Sequence, residues 1–171
     1  MVPHLKSQDV VVAIKLVRQQ GQVWTQPQLA GELFMSSSEV CHSLKRLEVS
    51  KLYNRYMRRV VRPRLLEFLV HGLPYVFPAS LGVPGRGLPT SISAAPLNVL
   101  FRKGAEDEMV WEHPEGSVTG RCIEPLYRSV PTAAAADPLL HQWLALVDAL
   151  RLGRARERQA AEKELSSWLR A

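Results

Sequence analysis

Ser37, Ser38, Cys41, His42, Lys45 and Arg46 recur at helical spacing in the segment SSEVCHSLKRLEV, opposite the apolar positions Val40, Leu44 and Leu47. On a helix, that spacing gathers short hydrogen-bonding groups and cations on one outer face. Such a face suits entry into a DNA major groove, where these side chains meet the donor and acceptor pattern of base edges. Ser37, Ser38, His42, Lys45 and Arg46 are therefore the expected base-reading residues. Directly downstream come Lys51, Arg55, Arg58, Arg59, Arg62 and Arg64, with no acidic residue between Lys51 and Arg64. These cations would grip phosphates, supplying salt-dependent affinity while the helix face reads sequence. The alternative for the block is a solvated basic face without a ligand. Tyr53 and Tyr56, set among the arginines, would either contact sugar and phosphate or simply pack.

Positioning these residues requires helices with defined starts. Ser36 with Glu39 forms a Ser-x-x-Glu capping box ahead of the outer-face helix, and Thr25 with Gln28 forms a similar box one turn earlier. Pro27 falls in the first turn of the preceding helix, where a missing amide hydrogen costs nothing. Leu29, Ala30 and Leu33 give that helix an inner face, so Thr25 to Tyr53 reads as a helix-turn-helix. A capped helical hairpin with an apolar seam is also how a small helical core is built. Ahead of it, Ser7 would cap a helix from Gln8 to Gln20 with Val10, Ile14 and Val17 inward, stopped by Gly21. The short GQVW that follows would be a small strand. Pro63 to His71 reads as another helix, too densely apolar to lie on the surface, and Gly72 would end it.

On these residues the chain resembles the helix-turn-helix core of winged-helix bacterial transcriptional regulators of the MarR-like kind. The family form is a leucine-alanine helix, a glycine turn, a serine-capped recognition helix ending in Arg-Leu-Glu, and a glycine-leucine. The resemblance implies a DNA-binding regulator with terminal helices as the dimer element. Two departures stand out: Phe34 occupies the turn-glycine position and Lys51 the glycine position after the recognition helix, so neither left-handed backbone site carries the preferred residue. A third is that no alternating strand pair with a glycine or asparagine turn is visible after the recognition helix.

The remaining chain reads as strands, then helices. From Leu73 to Arg128, the runs PYVFP, VLFRK, MVWEH and GSVTGRCI suggest three to five short antiparallel strands with long loops, separated by turns such as GAEDE and HPEG. The loop LGVPGRGLP, Leu81 to Pro89, places Arg86 between two glycines, either as a displaced wing reaching the minor groove or as a surface turn. Asp137 with Pro138 signals a helix whose face of Leu139, Leu140, Trp143, Leu144, Leu146, Val147 and Leu150 needs covering. Gly153 interrupts it before a narrower stripe of Ala161, Leu165, Trp168 and Leu169. Either a second copy of the chain or the strand region would supply the cover. The expected class is α+β: residues 1–72 as a helix-turn-helix domain, and 73–171 as a β-rich region with a C-terminal helical dimerisation or packing element.

Composition narrows the function classes. The chain has 171 residues, 46% hydrophobic, with a net charge of +6, enough to bury a core and biased toward a polyanionic partner. No run has the length of a membrane span and the N-terminus lacks signal-peptide order, so a cytoplasmic address without membrane contact is expected. Cys41 and Cys122 are far apart and the five histidines are scattered, against a disulfide framework or a metal site. No cofactor is expected. His113, Glu115, His71 and Asp148 are the only imaginable acid and base set, without a nucleophile elbow, phosphate loop or metal spacing, so no enzyme is expected. Cys41, near Arg46 and a helix N-terminus, would be either a redox-sensitive thiol or a buried inert one. The expected function is a sequence-specific double-stranded DNA-binding transcriptional regulator, a repressor or autoregulator acting as a homodimer. The alternative is a protein-interaction module, antitoxin-like or a scaffold partner, bound to a protein encoded nearby and using the helix-turn-helix only structurally.

Overall fold

A computed structural model describes residues 4–101, 104 and 108–170. The chain is α+β. Its first helix, α1 (Ser7–Arg18), is buried along the run Asp9 to Val17. A helix apolar nearly all round must be enclosed by its neighbours, and here α3 (Ser37–Val49), the strand β2 (Arg59–Val60) and α7 (Pro138–Leu152) surround it. The GQVW segment between Gly21 and Trp24 forms no strand.

Helix α2 (Gln26–Leu33) starts as its residues require, with the Thr25 hydroxyl accepting the Gln28 amide at 3.3 Å. The box at the start of α3 is complete: Ser36 Oγ accepts from the Glu39 amide at 3.1 Å, and Glu39 Oε2 accepts from the Ser36 amide at 2.8 Å. Both glycine departures are met by the same device. After α2, Phe34 has φ 52°, with the Phe34 amide donating to Gly31 O and the Met35 amide to Ala30 O at 3.2 and 2.9 Å. After α3, Lys51 has φ 62°, with the Lys51 amide donating to Glu48 O and the Leu52 amide to Leu47 O at 3.0 and 2.9 Å. Each is the paired closure of a Schellman motif, anchored by a buried residue beyond the turn, Met35 or Leu52. Those anchors hold a left-handed backbone that costs a non-glycine residue about 1–2 kcal/mol.

Following α3 is a short antiparallel hairpin, β1 (Tyr53–Asn54) with β2, paired Tyr53 to Val60 and Asn54 to Arg59. The sequence reading missed it because two-residue strands carry no alternation to detect. Helix α4 (Arg62–Glu67) then runs through a π-helical turn, Phe68–Gly72, into α5 (Leu73–Val76). Gly72 thus lies within a helical path instead of ending it, and Pro74 to Val76 of the expected strand PYVFP are helical.

The strand layer is small and closed. β3 (Leu81–Pro89) pairs antiparallel with both β4 (Met109–Glu112) and β5 (Val118–Ile123), and β4 pairs with β5 in parallel through Met109 to Arg121 and Val110 to Cys122. The glycine-rich LGVPGRGLP is therefore the shared strand of a closed unit, not a loop. Its glycines permit the closure: a Cβ on Gly87 would lie 1.8 Å from the Trp111 carbonyl oxygen. Of the expected strand VLFRK, Val99 ends a 3-10 turn, Leu97–Val99, while Arg102 and Lys103 lie outside the described residues, as do Ala105 to Asp107 of the GAEDE turn and Met1 to Pro3.

α6 (Val130–Ala136), α7 and α8 (Ala155–Arg170) complete the fold. Most of the α7 face, for which either a second copy or the chain itself was the expected cover, is occupied within one chain, while Leu139 stays exposed. Leu140 and Trp143 to Leu150 are buried, with α1, α5, α6, α8 and the 3-10 turn Ser91–Ser93 packed around them. Trp143 and Trp168 join α7 to α8 with ring centroids 5.1 Å apart. One continuous apolar core runs from Val10 to Leu169, so the boundary expected near residue 72 falls inside it.

Candidate nucleic-acid interface

Helix α3 divides its residues sharply. Val40, Leu44 and Leu47 are buried, while Ser37, Ser38, His42 and Lys45 are exposed and Cys41 is half-buried. Ser38 Oγ and His42 Nδ1 lie 3.5 Å apart, a contact of adjacent turns. Four of the five expected base-reading residues therefore share the outer face.

Arg46 does not. It is 8% exposed and turned into the core, where its Nε and Nη2 donate to the two carboxylate oxygens of Asp9 at 2.8 and 2.6 Å. Nη2 also donates to Ser43 Oγ at 3.2 Å. Asp9 is fully buried, and a buried carboxylate requires a partner that matches it. The planar guanidinium matches in bidentate fashion and locks α3 against α1. Helical spacing alone set Arg46 on the outer face opposite the apolar stripe, and the structure overturns that placement. Its inward turn follows from Asp9, an acid beside the otherwise apolar run VVVAIKLV, which is the signal that would have found the pair.

The cationic block separates likewise. Arg58, φ 51°, lies with its guanidinium carbon 4.4 Å above the Trp24 ring and donates from Nη2 to the Trp24 carbonyl at 2.8 Å. Arg62 donates to Gln20 Oε1, and Arg64 to the Lys51 carbonyl at 3.2 Å. Among the described residues, the side chains of Lys51, Arg55 and Arg59 are exposed and make no hydrogen bond or ion pair. Tyr53 is buried, and burial pushes its hydroxyl pKa up; Tyr56 projects into solvent. Arg86 sits on β3, and its Nε donates to the Gly116 carbonyl, so it belongs to the strand unit and not to a wing loop.

The outer face of α3 and the hairpin meet in a groove of about 340 Å³, lined by Trp24, Cys41, Lys45, Glu48, Tyr53, Arg55 and Arg58 among others. Three of these are cations and one is an acid, so the groove is positive with an aromatic wall. Comparison of the chain with protein-family models, with curated proteins and with solved structures gave no match to any of them. The MarR-like resemblance therefore rests on the quoted residues alone.

The C-terminal half reaches the first turn of α3 and the end of α2. The Tyr127 hydroxyl donates to Glu39 Oε1, the Arg128 guanidinium lies 3.8 Å from that oxygen, and Ser129 Oγ donates to the Leu33 carbonyl at 2.7 Å. The Tyr127 hydrogen bond holds the Glu39 carboxyl below its usual range, and the same bond pushes the tyrosine up. Contacts 88 and 96 positions apart in sequence leave no local trace.

Of the acid and base candidates, Asp148 is tied up in the core, accepting from Thr90 Oγ1, Trp111 Nε1 and Arg151 Nη1 at 2.9, 2.7 and 2.7 Å; His113 pairs with its neighbour Glu115, accepting its amide in the β4–β5 turn. Cys41 and Cys122 are free thiols. Among the described residues no group of three or more His, Cys, Asp or Glu can hold a metal, and no helix is long and apolar enough to cross a membrane.

Proposed function

We propose that this protein is a sequence-specific duplex-DNA-binding transcriptional regulator, a repressor or autoregulator, built on a winged-helix-like arrangement. Helix α3 is the recognition helix and the β1–β2 hairpin its wing, in the order α1, α2, α3, β1, β2. The observation that carries this reading is the shared groove: Lys45 from the outer face of α3 stands with Arg55 and Arg58 of the hairpin on one side of the molecule. Cations from two elements around an exposed helix face fit a duplex, whose phosphates flank the groove that the helix enters. Ser37, Ser38, His42 and Lys45 would meet base edges; Lys51, Arg55 and Arg59 would meet phosphate. A homodimer on a palindromic site remains part of the proposal, but its interface would lie away from the occupied face of α7.

Fluorescence anisotropy on a mixed-sequence duplex at two salt concentrations tests the class, followed by enrichment of a preferred site from a random duplex library. Binding should weaken steeply with salt. On the enriched site, His42→Ala or Lys45→Ala should cost about 1–3 kcal/mol. Absence of binding at low salt, or failure of the library to converge, would sink the reading. Sedimentation of the complex gives the number of copies per site.

A further inference from the structure

The tip of the β1–β2 hairpin is apolar where its surroundings are cationic. Tyr56 is 97% exposed and Met57 is 71% exposed, side by side between Arg55 and Arg58. Single apolar residues scattered on a surface are ordinary. This pair differs because the turn that carries it is fastened on both sides. Asn54 Oδ1 accepts the Met57 amide at 2.9 Å, and the Arg58 amide reaches the Arg55 carbonyl at 3.3 Å. Arg58 then anchors the far side through its stack on Trp24 and its bond to the Trp24 carbonyl. With the Arg58 backbone in the left-handed region, the turn is set to project the two side chains outward instead of folding them onto the protein.

We propose that Tyr56 and Met57 form a wedge that enters the groove of bound duplex DNA and partly unstacks a base step. The proposal rests on the duplex-binding reading and adds how the hairpin engages. Charge selects the partner: Arg55 and Arg59 flank the tip with no acid between Lys51 and Arg64, so what the apolar pair meets is enclosed by anions. Position selects duplex over an anionic lipid surface, because Arg55 and Arg58 share their groove with Lys45 of α3. A duplex seated on that helix therefore brings an adjacent groove against the tip. A thioether and an aromatic ring are the side-chain types that such insertion uses, and a preformed turn loses little conformational freedom on binding. Flexible pyrimidine-purine steps yield most readily to a wedge, so they should be preferred over stiff A-tracts.

The experiment uses the full chain, mixed-sequence duplexes carrying a fluorescent adenine analogue that brightens when unstacked, and the variants Tyr56→Ala with Met57→Ala, and Tyr56→Phe. Wild type should brighten the analogue at one or a few positions on binding. The double variant should lose that signal and bind about tenfold more weakly, as removal of a stacked aromatic implies. It removes no charge, so its dependence of affinity on salt should match wild type; Tyr56→Phe should keep both signal and affinity. Wild-type binding by anisotropy with no brightening at any scanned step would overturn the wedge while leaving the duplex reading intact. Unchanged affinity and signal in the double variant would overturn it too. Tip-dependent binding to phosphatidylserine vesicles in place of duplex would overturn it in favour of a membrane. Absence of any duplex binding is read separately in the anisotropy channel and removes both proposals.

Discussion

The seam where α1 meets α3 and α7 and the hairpin beyond α3 are both rich in charge, yet they use it in opposite ways. In the seam each cation has a carboxylate: Arg46 holds Asp9, Lys15 holds Asp137 and Glu32 at 2.8 Å each, and Arg18 holds Asp137 at 2.5 Å. At the hairpin, the exposed side chains of Arg55 and Arg59 keep their charge in water and form no ion pair, although Glu48 lines the same groove as Arg55. Burial is the difference. A cation taken out of water must be matched inside the protein, because leaving a buried partner unpaired costs several kcal/mol. A cation left in water is cheap to keep and available to an outside anion. The seam's charges therefore build the platform, and the hairpin's charges are free to act from it.

The most severe way to break this contrast is to remove one side of the seam. A chain ending at Ala136 loses the buried face of α7 and Asp137, the carboxylate that Lys15 and Arg18 share, and should show no cooperative unfolding transition by circular dichroism. A folded, soluble fragment would mean that residues 4–136 stand alone and that the seam is dispensable. Next in size is Arg46→Ala, which strands Asp9 and should cost about 3–5 kcal/mol in urea unfolding, whereas Asp9→Leu with Arg46→Met should recover most of that loss. Arg59→Ala, by contrast, should change stability by about 0.5 kcal/mol at most. Equal losses at Arg46 and Arg59 would erase the distinction.

The same pair of regions should separate in binding. Arg55→Ala with Arg59→Ala should leave the unfolding midpoint unchanged and reduce the slope of log affinity against log salt by about one per lost phosphate contact. An unaltered slope would take the hairpin out of the interface.

Acid titration sharpens the seam further. Burial alone would raise the Asp137 carboxyl, but hydrogen bonds from Lys15, the Leu140 amide and Arg18 hold it at about 2, against an ordinary 3.8. A depressed carboxylate contributes stability above its unfolded value and loses it as pH falls through its folded one. Unfolding free energy should therefore drop as pH goes from about 4 to about 2, and Asp137→Asn should flatten that part of the curve while being less stable at neutral pH. An unchanged acid limb in Asp137→Asn would mean that other carboxylates govern it. The smallest effect concerns the join between the regions: Lys51→Gly should relieve the left-handed strain and stabilise by up to about 1 kcal/mol, with a loss in stability refuting that account.

What could be read from the chain itself was what neighbouring residues decide among themselves. Thr25, the Ser36 and Glu39 box and Asp137 each satisfy backbone amides within one turn, so the starts of α2, α3 and α7 were legible. The outer position of Ser37, Ser38, His42 and Lys45 followed from the apolar stripe on the same helix, and the cationic block from composition. Tertiary structure decided everything whose partner is distant. Arg46 was expected on the outer face with His42 and Lys45, but Asp9, 37 positions away, draws it inward. LGVPGRGLP carries the residues of a turn, yet it is a strand because β4 and β5 both pair with it and its glycines let their backbones approach. The apolar face of α7 needed a cover that could come from a second copy or from the chain itself, and its neighbours within the chain, α1, α5, α6 and α8 among them, supply most of it. Periodicity shows that a face must be covered and a charge must be matched; which surface covers it and which group matches it depend on contacts between residues far apart in the chain.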